Sequence, residues 1–201
     1  MDQSVREFLA MTASKSPTPG GGSVAALAGA LAAGLAEMAL QYTVGKKAFA
    51  EHRAELLESI ERLRKAGALM QDLIYEDIEA YGKLSGFLRF AEDERLSMPE
   101  YLPTLTAAIR APEAVGGLAY HILEMCVNLL EKCNPALLSD LGIAATLAHA
   151  TVHAAELNVL VNLRLLPDAE EAKQWRRRME ELAIKSEVHW RRVRDHMRAK
   201  L

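Results

Sequence analysis

Asp77 is the one charged residue on a seam that is otherwise built for burial. Leu56, Ile60, Leu63, Gly67, Met70, Ile74, Asp77, Tyr81, Leu84 and Leu88 step by alternating four and three residues. That is a 3.5-residue helical period. An unpaired carboxylate on such a seam costs several kcal/mol, so it needs a partner such as Lys46, Lys47 or an arginine, or a raised pKa. Two readings are open: a structural, register-setting ion pair, or an acid–base group in a site. The second feature is Gly20-Gly21-Gly22-Ser23 at the start of a helix. Glycines let backbone N–H groups approach a ligand closely, and a helix N-terminus favours an anion. No Gly-Lys-Ser/Thr follows, so this is not a P-loop. A tight turn feeding a buried helix is the plainer account.

Further along, Asp140 follows Ser139 in the first turn of a helix, where it also suits simple dipole stabilisation. Thr151, Asn158 and Asn162 lie near one stripe of that helix, which fits interhelical hydrogen bonds or a ligand bearing an amide. His149, His153 and Glu156 share another face of it. A His-x-x-x-His pair can bind zinc. No third-ligand cluster is evident, and a surface or subunit-contact face is the better account, so no metal is expected. No nucleophile triad can be argued.

The elements that position these groups read as helices throughout. Residues 3–14 form a short amphipathic helix. Ser14 to Gly22 is a loop, Ser23 is the expected N-cap, and a small-residue helix with Ala26, Ala30 and Gly34 at four-residue spacing runs to about Tyr42. Gly45 ends it, and Lys46 and Lys47 complement its negative end. A helix over about 48–90 follows, then a charged loop over 91–98. Pro99 and Pro103 open another helix, which Pro112 is expected to kink or split before about Lys132. Ser139 caps a helix to about Leu166, and Asp168 with Glu171 starts the last one. No strand pattern or internal repeat appears. The expected architecture is one all-α domain over 1–201, a bundle of five to six helices, some long, with seams that form a dimer.

Composition agrees. Of 201 residues, 50% are apolar and 25% charged, which excludes a disordered chain, and only 5% are aromatic, which suits closely packed helices. A net charge of −3 gives no electrostatic case for nucleic acid or an anionic membrane. Two cysteines point to a reducing, cytoplasmic setting, and the N-terminus lacks a signal-peptide pattern. The apolar stretch Val24 to Val44 carries Glu37 and Gln41, so it reads as a buried helix and no membrane is expected.

Five ordered motifs resemble the formiminotetrahydrofolate cyclodeaminase / methenyltetrahydrofolate cyclohydrolase family. They are Pro17-Thr18-Pro19-Gly20-Gly21-Gly22-Ser23-Val24-Ala25, then Gly45-Lys46-Lys47, then Asp77-Ile78-Glu79-Ala80-Tyr81. Asn134-Pro135-Ala136-Leu137-Leu138-Ser139-Asp140 and Glu156-Leu157-Asn158-Val159-Leu160-Val161-Asn162-Leu163 complete the set. One departure is Phe87-Leu88-Arg89-Phe90-Ala91, where the family often has a Met-Lys-Leu-Pro-like stretch.

The resemblance implies a helical, dimer-based enzyme acting on the N5–N10 bridge of tetrahydrofolate. The folate is substrate and no other cofactor is required. It implies Asp77 as acid–base or cation-stabilising group and Lys46 or Lys47 as proton shuttle or carboxylate holder. Asp140, Asn158 and Asn162 would read the pterin, and Gly20, Gly21, Gly22 and Ser23 the glutamyl carboxylate. Tyr81, Asn134 and Ser139, standing in the same motifs, would line the substrate.

Overall fold

The computed structural model describes residues 4–200. Its elements are α1 (Val5–Thr12), α2 (Gly21–Val44), a 3-10 turn (Lys47–His52), α3 (Arg53–Phe87), α4 (Glu92–Leu96) and α5 (Tyr101–Leu129). A second 3-10 turn (Pro135–Leu137), α6 (Leu138–Leu163) and α7 (Ala169–Lys200) follow. No strand occurs among the described residues. The all-α expectation holds, with seven α-helices among the described residues instead of five or six. The addition is α4, one turn inside the stretch expected to be a charged loop. Residue 3 of the expected first helix lies outside the described residues.

Helix α2 runs through the middle of the molecule. Ala25, Ala26, Gly29, Ala32, Ala33, Ala36 and Ala39 are buried along it. Such a surface admits neighbouring helices closely: a Cβ on Gly29 would sit 2.6 Å from Met70 Cε on α3. The small-residue stripe is therefore real but rotated from the expected one. Ala26 is buried, while Gly34 is exposed, with nothing within 4 Å of its Cβ position. The α3 seam packs as its period requires over its first two-thirds and at Leu84, whereas Tyr81 and Leu88 at its end are exposed. Leu56, Ile60, Leu63, Met70, Ile74 and Leu84 are all buried, in one core shared with α2, α5 and α6. Each such side chain contributes about 1.5–3 kcal/mol by burial.

Several boundaries differ from expectation for identifiable reasons. The N-cap of α2 is Gly20, with no side-chain cap; Ser23 is inside the first turn because its hydroxyl is committed elsewhere. The N-cap of α6 is Leu137, and Ser139 lies in the helix, because Asn134 already starts the preceding 3-10 turn by accepting from Ala136 N–H at 3.2 Å. Asp168 caps α7 as expected, accepting from Glu170 and Glu171 N–H. Pro112 does not split α5. It cannot donate to the carbonyl of Ala108 four residues back. The Asn162 amide on α6 donates to that carbonyl instead, at 2.7 Å.

Two stretches, Gly21–Val44 and Pro135–Leu163, are long and apolar enough by composition to cross a bilayer, but about half of each is buried inside the bundle. Both cysteines are buried and free. In place of a Leu-Pro turn, the chain around Arg89 closes the end of α3 with Phe87 edge-on to Tyr101, centroids 5.7 Å apart. The Tyr101 hydroxyl donates to the Leu165 carbonyl at 3.3 Å, which ties that corner to the end of α6.

Candidate active site

The N-terminus of α2 meets the middle of α3 at Gly22. The Asp77 carboxylate lies directly over this glycine: a Cβ there would be 2.0 Å from Oδ1 and 2.5 Å from Cγ. Only glycine admits that approach. The Ser23 hydroxyl donates to Asp77 Oδ2 at 2.6 Å. A hydroxyl thus stands where a lysine or arginine is one of the expected partners. No lysine or arginine among the described residues pairs with Asp77, whose neighbours are a hydroxyl and an uncapped helix N-terminus, both favourable to a negative charge.

Asn158 completes one wall. Its Nδ2 donates to the Ala154 carbonyl at 2.8 Å, and its Oδ1 faces Gly21, 3.0 Å from where a Cβ would be. Around these groups is a cleft of about 230 Å³, lined by the Pro17–Gly22 loop, Asp77, Tyr81, Ala108, Asn158, Val161 and Asn162. It offers a carboxylate and an amide oxygen as acceptors, with backbone N–H groups at one rim. That suits a ligand carrying N–H donors or positive charge beside an anionic appendage.

The structure thus brings together Gly20, Gly21, Gly22, Ser23, Asp77, Tyr81, Asn158 and Asn162. Asn162 makes one of the two contacts expected of it, an interhelical hydrogen bond from its amide to the Ala108 carbonyl, and it also lines the cleft. The other candidates are elsewhere. Lys46 and Lys47 are exposed beyond the far end of α2, about 36 Å away by the helical rise. Asn134, Ser139 and Asp140 are at that same far end, because Asn134 N–H donates to the Thr43 hydroxyl at 3.0 Å. Burial, opposed by a Thr43 hydrogen bond and reinforced by the nearby Asp140 charge, pushes the Cys133 thiol pKa up. Lys46 and Lys47 therefore cannot be the partner of Asp77 within one chain.

Sequence reasoning missed Pro17, Thr18, Ala108 and Val161 as lining residues. Pro112 held a signal for one of them: its missing N–H leaves the residue-108 carbonyl in need of a donor.

A profile described as formiminotransferase-cyclodeaminase matches residues 4–181. The chain belongs to that family. It is 28% identical to a methenyltetrahydrofolate cyclohydrolase of Methylorubrum extorquens, over 100% of this chain and 98% of the relative. It is 31% identical to a formimidoyltransferase-cyclodeaminase of Rattus norvegicus, over 90% of this chain but only 34% of that longer protein. The crystal structure of a formiminotetrahydrofolate cyclodeaminase from Thermotoga maritima superposes with a TM-score of 0.91 at 30% identity. That match covers 98% of this chain and 97% of the other. The folate one-carbon function and helical architecture implied by the five motifs therefore stand.

Proposed function

We propose that this chain closes 5-formiminotetrahydrofolate to 5,10-methenyltetrahydrofolate with release of ammonia. The observation that carries the reading is the Asp77 carboxylate, lodged against Gly22 with a serine hydroxyl as its one side-chain partner among the described residues, in a cleft that also presents the Asn158 oxygen. In this reaction N10 attacks the formimino carbon, N10 loses its proton, and the former imino nitrogen leaves as ammonia after protonation. Asp77 takes the N10 proton and offsets the positive charge that develops on the bridging carbon. The N–H groups at the α2 N-terminus hold an anionic part of the folate, and Asn158 accepts from the pterin. Acid–base and electrostatic groups suffice, with the folate as substrate and no further cofactor.

The remaining motif residues enter through a second copy. Val24, Leu31 and Tyr42 on α2 and Ile143, Leu157 and Val161 on α6 are exposed apolar residues on one stripe of each helix. These two helices run antiparallel, since Gly21 meets Asn158 at one end and Thr43 meets Asn134 at the other. A two-fold axis crossing α2 near Gly34 brings Gly20–Ser23 and Asp77 of one protomer toward Lys46, Lys47, Asn134, Ser139 and Asp140 of its partner. A 230 Å³ cleft is smaller than the roughly 300–1,000 Å³ usual for such ligands. Shared walls supply the rest, with a partner lysine as proton shuttle. The proposed form is a soluble, cytoplasmic homodimer, its apolar α2 and α6 faces covered by each other.

The end-to-end match to a cyclohydrolase favours a second reading, hydrolysis of the methenyl bridge to 10-formyltetrahydrofolate. Water adds to the same carbon as Asp77 takes its proton, and the C–N5 bond then breaks with protonation of N5, leaving the formyl group on N10. The test follows methenyltetrahydrofolate absorbance in both directions: its formation from the formimino substrate, and its loss by hydrolysis. Formation with ammonia release supports the main reading, and hydrolysis alone supports the second. Tight folate binding with neither reaction would make the protein a binding scaffold and sink both.

A further inference from the structure

On the α7 side of α6, away from the cleft, three groups of metal-ligand type converge. His149 and His153 are one turn apart on α6, with rings edge to face and centroids 4.7 Å apart. Glu187 reaches them from α7, and one ligand atom from each of the three lies within 4.8 Å of the other two. We propose that His149, His153 and Glu187 bind a divalent transition-metal ion of the zinc class, which fastens α7 to α6.

The orientation of the groups supports this. His149 Nδ1 pairs with the Ser186 hydroxyl at 2.7 Å, and its ring stacks on Trp190 at 5.2 Å and 14°. That fixes the ring and directs Nε2 at Glu187 Oε2, 3.4 Å away. Outer partners of this kind are how proteins orient ligating imidazoles. The distance is long for an N–H···O hydrogen bond. It is close to the ~3.3 Å edge of a tetrahedron of N and O ligands about 2.0–2.1 Å from zinc. Glu187 Oε1 accepts from Arg191 Nε at 2.7 Å, which turns Oε2 toward the histidines. Glu156 Oε2 is 3.5 Å from His153 Nδ1, placed to orient that ring or to serve as a further ligand.

A plain ion pair between helices accounts for Glu187 facing His149. It does not account for a second imidazole, His153, set edge to face against the first with its ligand atom within 4.8 Å of the other two. Two imidazoles and a carboxylate select zinc-like ions over magnesium or calcium, which prefer all-oxygen sites.

The test uses the full chain after chelator treatment, titrated with Co²⁺ and then Zn²⁺. Expected results are one Co²⁺ per chain with the visible absorption of a four- or five-coordinate ion, displacement by Zn²⁺, and an unfolding midpoint raised by Zn²⁺ but not by Mg²⁺. His153→Ala and Glu187→Gln, both at partly exposed side chains, should each weaken binding at least about tenfold while folate turnover stays unchanged. Absence of saturable binding at about 100 μM Co²⁺ overturns the proposal. So does binding that both variants retain at full affinity.

Discussion

Gly22→Ala is the smallest perturbation that tests the site. The new methyl carbon would lie 2.0 Å from Asp77 Oδ1, 2.5 Å from Cγ and 2.9 Å from Oδ2. Ordinary contact begins at about 3.4 Å, so the carboxylate must withdraw by about 1.4 Å. α2 cannot retreat instead, because Gly29 and the alanines behind it are packed against α3 and the core. A shift of about 1 Å in a reacting group is worth roughly 10²-fold in rate. Turnover per folded protein should therefore fall about a hundredfold. Stability should change little. Alanine gains up to about 1 kcal/mol over glycine in a helix, against about 1–2 kcal/mol for a strained Ser23–Asp77 hydrogen bond. The assay is methenyltetrahydrofolate formation and hydrolysis, beside a denaturation curve. A double-mutant cycle makes the reasoning refutable: if Gly22 acts through Asp77, adding Gly22→Ala to Asp77→Ala costs no further activity. Turnover above half of wild type in Gly22→Ala, or additive losses in the cycle, would refute it.

Asp77→Asn keeps the volume and removes the charge; turnover should drop by about 10²-fold or more with the unfolding midpoint within a few degrees, and near-normal turnover would remove Asp77 from the mechanism. Mixing Asp77→Asn chains with Lys46→Ala/Lys47→Ala chains, each inactive alone, should restore up to about a quarter of wild-type activity if each site draws on two protomers; no recovery from verified mixed dimers would count against the shared site. Asn162→Leu strands the Ala108 carbonyl that Pro112 leaves free and should destabilise by about 1–3 kcal/mol in a urea titration. His149, facing His153 and Glu187, has a lowered pKa in the folded state, so the unfolded chain takes the proton first. Stability of the chelator-treated chain should decline as pH falls from about 6.5 through the lower folded-state value, and His149→Gln should flatten that part of the curve.

Period and turn chemistry alone located α2, α3, α5, α6 and α7. Alternating fours and threes over 56–88 can only be a helical seam, and Asp168 capped α7 because a side-chain oxygen there reaches two free N–H groups. What sequence reasoning lacked was pairing across helices. Ser23 was read as a cap because serine at a helix start usually is one. Its hydroxyl instead serves a carboxylate 54 positions away, which no local pattern encodes. The separation of Lys46 from Asp77 was available without a structure. A 24-residue helix is about 36 Å long, so groups at its two ends cannot meet within one chain. Family resemblance joins the motifs into one set, and helix length divides them between two ends of the bundle. Asn162 shows the same limit from the other side. Its donor was legible as an amide on a small-residue stripe, but only the packing of α6 on α5 shows that it answers a proline.

The α2 N-terminus also dissolves the choice between structural and catalytic readings of Asp77. A helix start capped by glycine, with no side-chain acceptor, forgoes a few tenths of a kcal/mol. A carboxylate placed against the first turn contributes about 0.3–1 kcal/mol through the dipole, enough to offset that loss. Asp77 stabilises α2 from outside, and α2 in turn makes the apolar seam tolerable for Asp77. Had the partner been a lysine, the charge would be neutralised and the carboxylate oxygens occupied. A single serine hydroxyl takes one lone pair of Oδ2 and leaves the rest facing a cleft. Gly22 is the condition for both, since any side chain there separates carboxylate from helix. One glycine therefore sets the helix start, the position of the carboxylate and its availability to a substrate. That coupling is why a change of one methyl group is expected to leave the fold standing and the chemistry impaired.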